Sequence, residues 1–165
     1  MTFIYYLLIY LFFVWVLLPL VVPFLYSKNK LTLPESLPQP IAEIVSQIKF
    51  NNLSKEEALK IAYDFVTTNY KGSRIKTVTE FWKALINPLS IKSGFMHCTG
   101  QNYILRVILL KSELFDQGEI KTVLRPLNFF IHQNLQVRLD AKWINIDPWA
   151  KSIGVPYKGH APFIG

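Results

Sequence analysis

Three side chains in this 165-residue chain are of the types that together can open an amide bond through a thiol: Cys98, His132 and Asp147. Cys98 is the only cysteine, so no disulfide can form within the chain, and its thiol is either core filling or a nucleophile. It stands immediately ahead of Thr99–Lys111, a strongly apolar run with helical spacing. A thiol at a helix start meets unpaired backbone N–H groups and the positive end of the helix dipole, both of which favour the thiolate. The same N–H groups can hold the oxyanion formed when a thiolate attacks a carbonyl. Thr99 and Gly100 are small and leave room for a substrate beside the sulfur. His132 follows 34 residues later and is of the type that takes a thiol proton and returns it to a leaving group. Asp147 comes 15 residues after that, where a carboxylate can fix the tautomer and orientation of the imidazole. Singly, each has a plainer reading: a buried cysteine, a structural histidine, and a turn aspartate ahead of Pro148.

The elements that must position these residues run helices first, then strands. Ile41, Ile44, Val45 and Ile48 predict a helix over Ile41–Phe50. Ser54 and Glu57 form a Ser-x-x-Glu capping box that opens a second helix, with Leu59, Ala62, Phe65 and Val66 as its buried stripe. Thr79–Ile86 is a shorter helical candidate ended by Asn87-Pro88, and Thr99–Lys111 offers Ile104, Val107, Ile108 and Leu110 to the core. Val123–Ile131 is rich in strand formers, with Pro126 predicting an edge or bulge, and places His132 near a strand end. Leu135, Val137 and Leu139 alternate with Gln136 and Arg138, and Trp143–Ile146 alternates again across a turn at Asp140–Lys142. Pairing through that turn would bring His132 and Asp147 together. The class predicted is α+β with an antiparallel sheet. Lys151–Gly165, with Gly154, Pro156, Gly159 and Pro162, reads as a tail wrapping the domain.

The ordered set of motifs resembles the transglutaminase-like core, a branch of the papain-like cysteine hydrolases. It is carried by Gly94-Phe95-Met96-His97-Cys98, by the helix around Tyr103–Leu110, by His132 with Leu135-Gln136-Val137, and by Trp143-Ile144-Asn145-Ile146-Asp147-Pro148. The match covers about Gly94–Trp149, roughly a third of the chain. The chain departs from the pattern at Met96, where a glycine is usual, at Ser112-Glu113-Leu114-Phe115 after the helix, and at Gln133-Asn134 after the histidine. The resemblance implies a papain-like fold and a cysteine peptidase, amidase or acyltransferase acting on a peptide or protein amide through a thioester. Cys98 would be the nucleophile, His132 the base and then the acid, and Asp147 the orienting group. Gln101 and Trp82 are weaker candidates for the oxyanion site and the cleft. The alternative is a catalytically inactive binding module on the same fold. No cofactor or metal is expected: His97, Cys98, His132, Asp147 and His160 lack the spacings of a zinc site.

The remaining expectations concern the N-terminus. Phe3–Tyr26 contains no Asp, Glu, Lys or Arg, and as a helix it would reach roughly 36 Å, enough to cross a bilayer core of about 30 Å. Residues 1–26 are therefore predicted as a single-pass membrane anchor contacting lipid through residues 3–26, with kinks at Pro19 and Pro23. Ser27–Pro40 reads as a proline-containing linker and 41–165 as the hydrolase domain. Lys28 and Lys30 after the span favour a cytoplasmic domain by the positive-inside rule. The net charge of +7 is scattered, with no run of five like charges, which argues against nucleic acid as the partner. Oligomeric state is left open.

Overall fold

A computed structural model of the chain describes residues 2–12, 16, 21–28, 30–127 and 130–162. The described helices are α1 (Thr2–Phe12), α2 (Gln39–Phe50), α3 (Lys55–Asn69), α4 (Arg74–Thr79) and α5 (Cys98–Lys111). The strands are β1 (Tyr70–Lys71), β2 (Gly94–Phe95), β3 (Ile120–Leu127), β4 (Phe130–Leu139) and β5 (Lys142–Ile146). Helices precede the sheet, as the pattern predicts, and the sheet is antiparallel in the order β3-β4-β5.

Helix α5 is the centre of the molecule. Ile104, Leu105, Val107, Ile108 and Leu109 are all fully buried, so the helix is apolar around its circumference because α2, α3 and β4 pack on it from different sides. Burial of each such side chain contributes about 1.5–3 kcal/mol before entropy is counted. Helix α3 starts where its capping box predicts: Glu57 N donates to Ser54 Oγ, and the Glu57 carboxylate accepts from Ser54 N at 2.9 Å. Helix α2 starts two residues earlier than its apolar spacing suggests, because Pro40 is tolerated in a first turn, where its missing N–H has no helical partner.

Two elements differ from the sequence reading. The candidate helix Thr79–Ile86 is instead the end of α4 followed by a 3-10 turn, Phe81–Leu85. The break falls at Glu80, whose backbone leaves helical geometry (φ −122°, ψ 35°) while its carboxylate bridges Lys76 and Lys83. The strand Val123–Ile131 is in fact the close of β3 and the opening of β4, paired Leu124↔Gln133 through Leu127↔Phe130. Apolar runs in both strands read as one strand; residues 128–129 lie outside the described residues.

The transmembrane helix is corrected. No helix among the described residues is long and apolar enough to cross a membrane, so a single-pass membrane location through residues 3–26 is not supported. Helix α1 has 11 residues and spans about 16 Å at 1.5 Å per residue, about half a bilayer core. From Val22 onward the described chain packs on the domain. Val22–Phe24 forms a 3-10 turn, Pro23 is buried, and the carbonyls of Pro23 and Leu25 each accept from Gln133 Nε2 at 2.9 Å. The Tyr26 ring lies 4.5 Å from that of Tyr103 on α5. An apolar run suits a packed strap as well as a bilayer, and composition alone does not separate them. The kink at Pro19 lies outside the described residues. Beyond the strap, Arg106 Nη1 donates to Lys28 O at 2.6 Å, and the Gln117 amide pairs with both backbone groups of Leu31.

Candidate active site

The site is built by three joins. Strands β4 and β5 pair with Leu135 opposite Ile146 and Leu139 opposite Lys142, closed by a two-residue loop in which Asp140 takes φ 52°. Continuing that register sets Asp147 opposite Asn134, so His132 is its diagonal neighbour on one face, within reach of long side chains. The second join is the parallel pairing of β1 with β2, Tyr70↔Gly94 and Lys71↔Phe95, extended by Met96 N donating to Lys71 O at 3.1 Å. It delivers Cys98 to the head of α5 and carries α4 to the same place. The third is the packing of α5 on β4.

His132 Nε2 and Asp147 Oδ2 are 2.7 Å apart, with residues 4% and 2% exposed. The same Oδ2 accepts from Ala161 N at 3.0 Å, and Oδ1 accepts from Ala150 N at 3.1 Å. The carboxylate is thus held from three directions, and its buried charge is satisfied. With Nε2 engaged, Nδ1 is the ring nitrogen left for Cys98, whose sulfur is both a hydrogen-bond and a charge partner of the ring. Burial by itself pushes the His132 pKa down. The Coulombic pull of Cys98, the hydrogen bonds to Asp147 and Cys98, and the Asp147 charge outweigh it and raise the pKa to about 10. The net effect favours the charged imidazole beside the sulfur.

Cys98 is partly exposed and is the first residue of α5. The N-cap residue His97 does not cap the helix with its side chain; its ring Nε2 pairs with Glu80 O at 3.2 Å instead. Burial lowers the His97 pKa, and nothing brings its ring to the sulfur. The first-turn N–H groups of α5 are thus left uncapped by His97, beside Cys98.

A cleft of about 100 Å³ opens on Cys98 and His132. Leu127, Ile131 and Trp149 give it apolar walls, and α4 contributes Arg74 and Thr77. Trp149 lies with its ring centroid 5.2 Å from that of His132, covering the histidine against solvent. Gly72 makes that position possible: a Cβ there would stand 2.6 Å from Trp149 O and 2.8 Å from its ring. Trp143 is elsewhere, half-exposed under Lys121 Nζ.

The structure brings Cys98, His132 and Asp147 together and leaves out the two weaker candidates. Gln101 is fully buried, and its amide donates to Met96 O at 2.9 Å, away from the cleft. Trp82 is 50% exposed and packs edge-on against Phe81. Arg74, Thr77, Leu127 and Ile131 went unseen in the sequence. The two-residue strands that bring α4 across are too short for any periodicity, so no signal marked the first pair; the last two were visible only as strand formers.

Comparison of the chain with protein-family profiles, with curated proteins and with solved structures returns no match in any of the three, so nothing outside the chain identifies a transglutaminase-like domain.

Proposed function

We propose that the protein is a cysteine-dependent acyl-transfer enzyme of transglutaminase-like or papain-like type, acting on amide bonds by hydrolysis or transfer to an amine. The observation that carries this reading is the buried 2.7 Å His132–Asp147 contact beside the sulfur of Cys98 at a helix start. In this mechanism the Cys98 thiolate attacks the substrate carbonyl carbon, and the carbonyl π electrons move to oxygen. The Cys98 backbone N–H and the α5 dipole stabilise that oxyanion. His132 gives its Nδ1 proton to the leaving nitrogen, the C–N bond breaks, and a thioester remains on Cys98. Neutral His132 then takes a proton from water or an amine, which attacks the thioester and expels the thiolate. Asp147 accepts from Nε2 throughout and keeps the ring aimed at the sulfur.

The test is the rate of Cys98 alkylation by iodoacetamide between pH 5 and 9 in the intact chain and in His132→Ala, followed by intact mass. At neutral pH the variant is expected to react at least tenfold more slowly. Equal rates at every pH would leave a thiol without a base and remove the catalytic reading in favour of a binding module. A transient acyl adduct on Cys98 after treatment with p-nitrophenyl acetate is the expected companion result.

A further inference from the structure

Two buried amide side chains tie the carriers of the nucleophile and the base to each other. Asn102 lies four residues after Cys98, one turn down the same face of α5, and Gln133 follows His132 directly on β4. Asn102 Nδ2 donates to Gln133 O at 2.7 Å and reaches Gln133 Oε1 at 3.3 Å. Gln133 Nε2 in turn donates to the carbonyls of Pro23 and Leu25, both at 2.9 Å. The two residues are 2% and 1% exposed, so these bonds are made where no water competes.

The placement is unusual for side chains with no packing advantage. Leucine at 102 and methionine at 133 would fill similar space without needing four partners between them. The amides instead form a continuous path from the helix of Cys98, across the strand of His132, to the N-terminal strap. The carbonyl that Asn102 grips belongs to the Gln133–Asn134 peptide unit, one residue past His132 on the same strand, so its hold bears on the backbone next to the ring's origin. Asp147 and Trp149, which also meet the His132 ring, lie just after β5 and do not tie it to α5.

Building on the acyl-transfer reading of Cys98, we propose that Asn102 and Gln133 are positioning residues that set the approach of His132 to Cys98, with the strap at Pro23–Leu25 as the third member of the assembly. The path touches neither substrate nor cleft; it acts through the separation of the two reacting side chains. Displacements of about 1 Å between reacting groups cost up to about a hundredfold in rate, so such a clamp has a large effect to exert.

The experiment compares the intact chain with Asn102→Ala, Gln133→Met and Ile48→Val, the last lying in the core away from the site. Each is measured for urea stability, for iodoacetamide alkylation of Cys98 against pH, and for the pH titration of the His132 ring by NMR. The chain has 3 histidines, so assignment is direct. Asn102→Ala and Gln133→Met are expected to slow alkylation near pH 7 by about tenfold and to move the His132 titration toward its ordinary value, whereas Ile48→Val at comparable stability does neither. Variants that lose stability but keep the wild-type alkylation profile and His132 titration would overturn the proposal. Should both variants fail to fold, the unmutated chain still decides it: the Asn102 and Gln133 side-chain amide resonances must shift together with His132 as it titrates, and silence from both overturns it. If wild-type alkylation proves independent of His132, the parent functional reading has failed; if it depends on His132 but ignores the amides, only the clamp has.

Discussion

Replacing Asp147 by asparagine separates the charge of this carboxylate from its shape. The side chain is fully enclosed and accepts three bonds, from His132 and Ala161 on Oδ2 and from Ala150 on Oδ1. Asparagine keeps a single acceptor oxygen. Aimed at His132 and Ala161, that oxygen leaves the new NH2 facing the Ala150 N–H, donor against donor. Turned over, the NH2 meets two donors, so the first orientation is preferred. One buried N–H then goes unpaired, at about 1–3 kcal/mol, and two bonds lose their charge assistance, at about 1 kcal/mol each. Relief of the buried charge offsets part of this, leaving an expected loss of about 2–4 kcal/mol, a large share of a stability of about 5–15 kcal/mol. Urea denaturation at pH 7 measures it. The same variant is expected to lower the His132 pKa, because the Asp147 hydrogen bond and charge both raise it. A stability within about 0.5 kcal/mol of wild type, together with an unchanged His132 titration by NMR, would refute the reasoning.

Raised from 6.5 to about 10, the His132 charge contributes stability that is whole below pH 6.5 and is lost as pH climbs through 10. Urea midpoints are therefore expected to fall across that window in the wild type and to lie flatter in His132→Gln. Gly72→Ala must push Trp149 away and is expected to cost about 1–3 kcal/mol in urea denaturation, against almost nothing for Gly118→Ala, where a Cβ meets open space. Leu105→Ala, fully buried in α5, is expected to cost about 2–5 kcal/mol by the same assay. Starting the chain at Phe13 removes α1, which buries none of its residues, and is expected to leave the thermal midpoint unchanged, whereas starting at Leu31 also removes the carbonyls held by Gln133 and Arg106 and is expected to lower it by several degrees.

What could be read from the sequence was whatever had a local cause. The Ser54–Glu57 capping box, the Asp140 turn and the alternation on either side of it are effects of neighbouring residues, and the hairpin register then brings His132 to Asp147. Cys98 at the head of an apolar helix belongs to the same class. The long-range arrangements were not legible. The strap at residues 22–28 looks like a membrane segment because apolar side chains suit either surroundings, and only the fate of the Pro23 and Leu25 carbonyls distinguishes them. The cleft walls depend on β1 and β2, two residues each. Asn102 and Gln133 are ordinary helix and strand polars until their partners, 31 and about 110 residues away, are known.

The carboxylate that orients His132 is also where the chain fastens itself. Ala161 donates to Asp147 Oδ2, and Ala150 to Oδ1, so the segment after β5 is anchored on the same side chain that holds the His132 ring. In the order of synthesis, Cys98, His132 and Asp147 emerge well before Ala161. A nascent chain lacking that residue holds all three groups, with one of the three bonds to the carboxylate still unmade. The full set of bonds on the carboxylate beside His132 is therefore complete only after the polypeptide has been extended past residue 161.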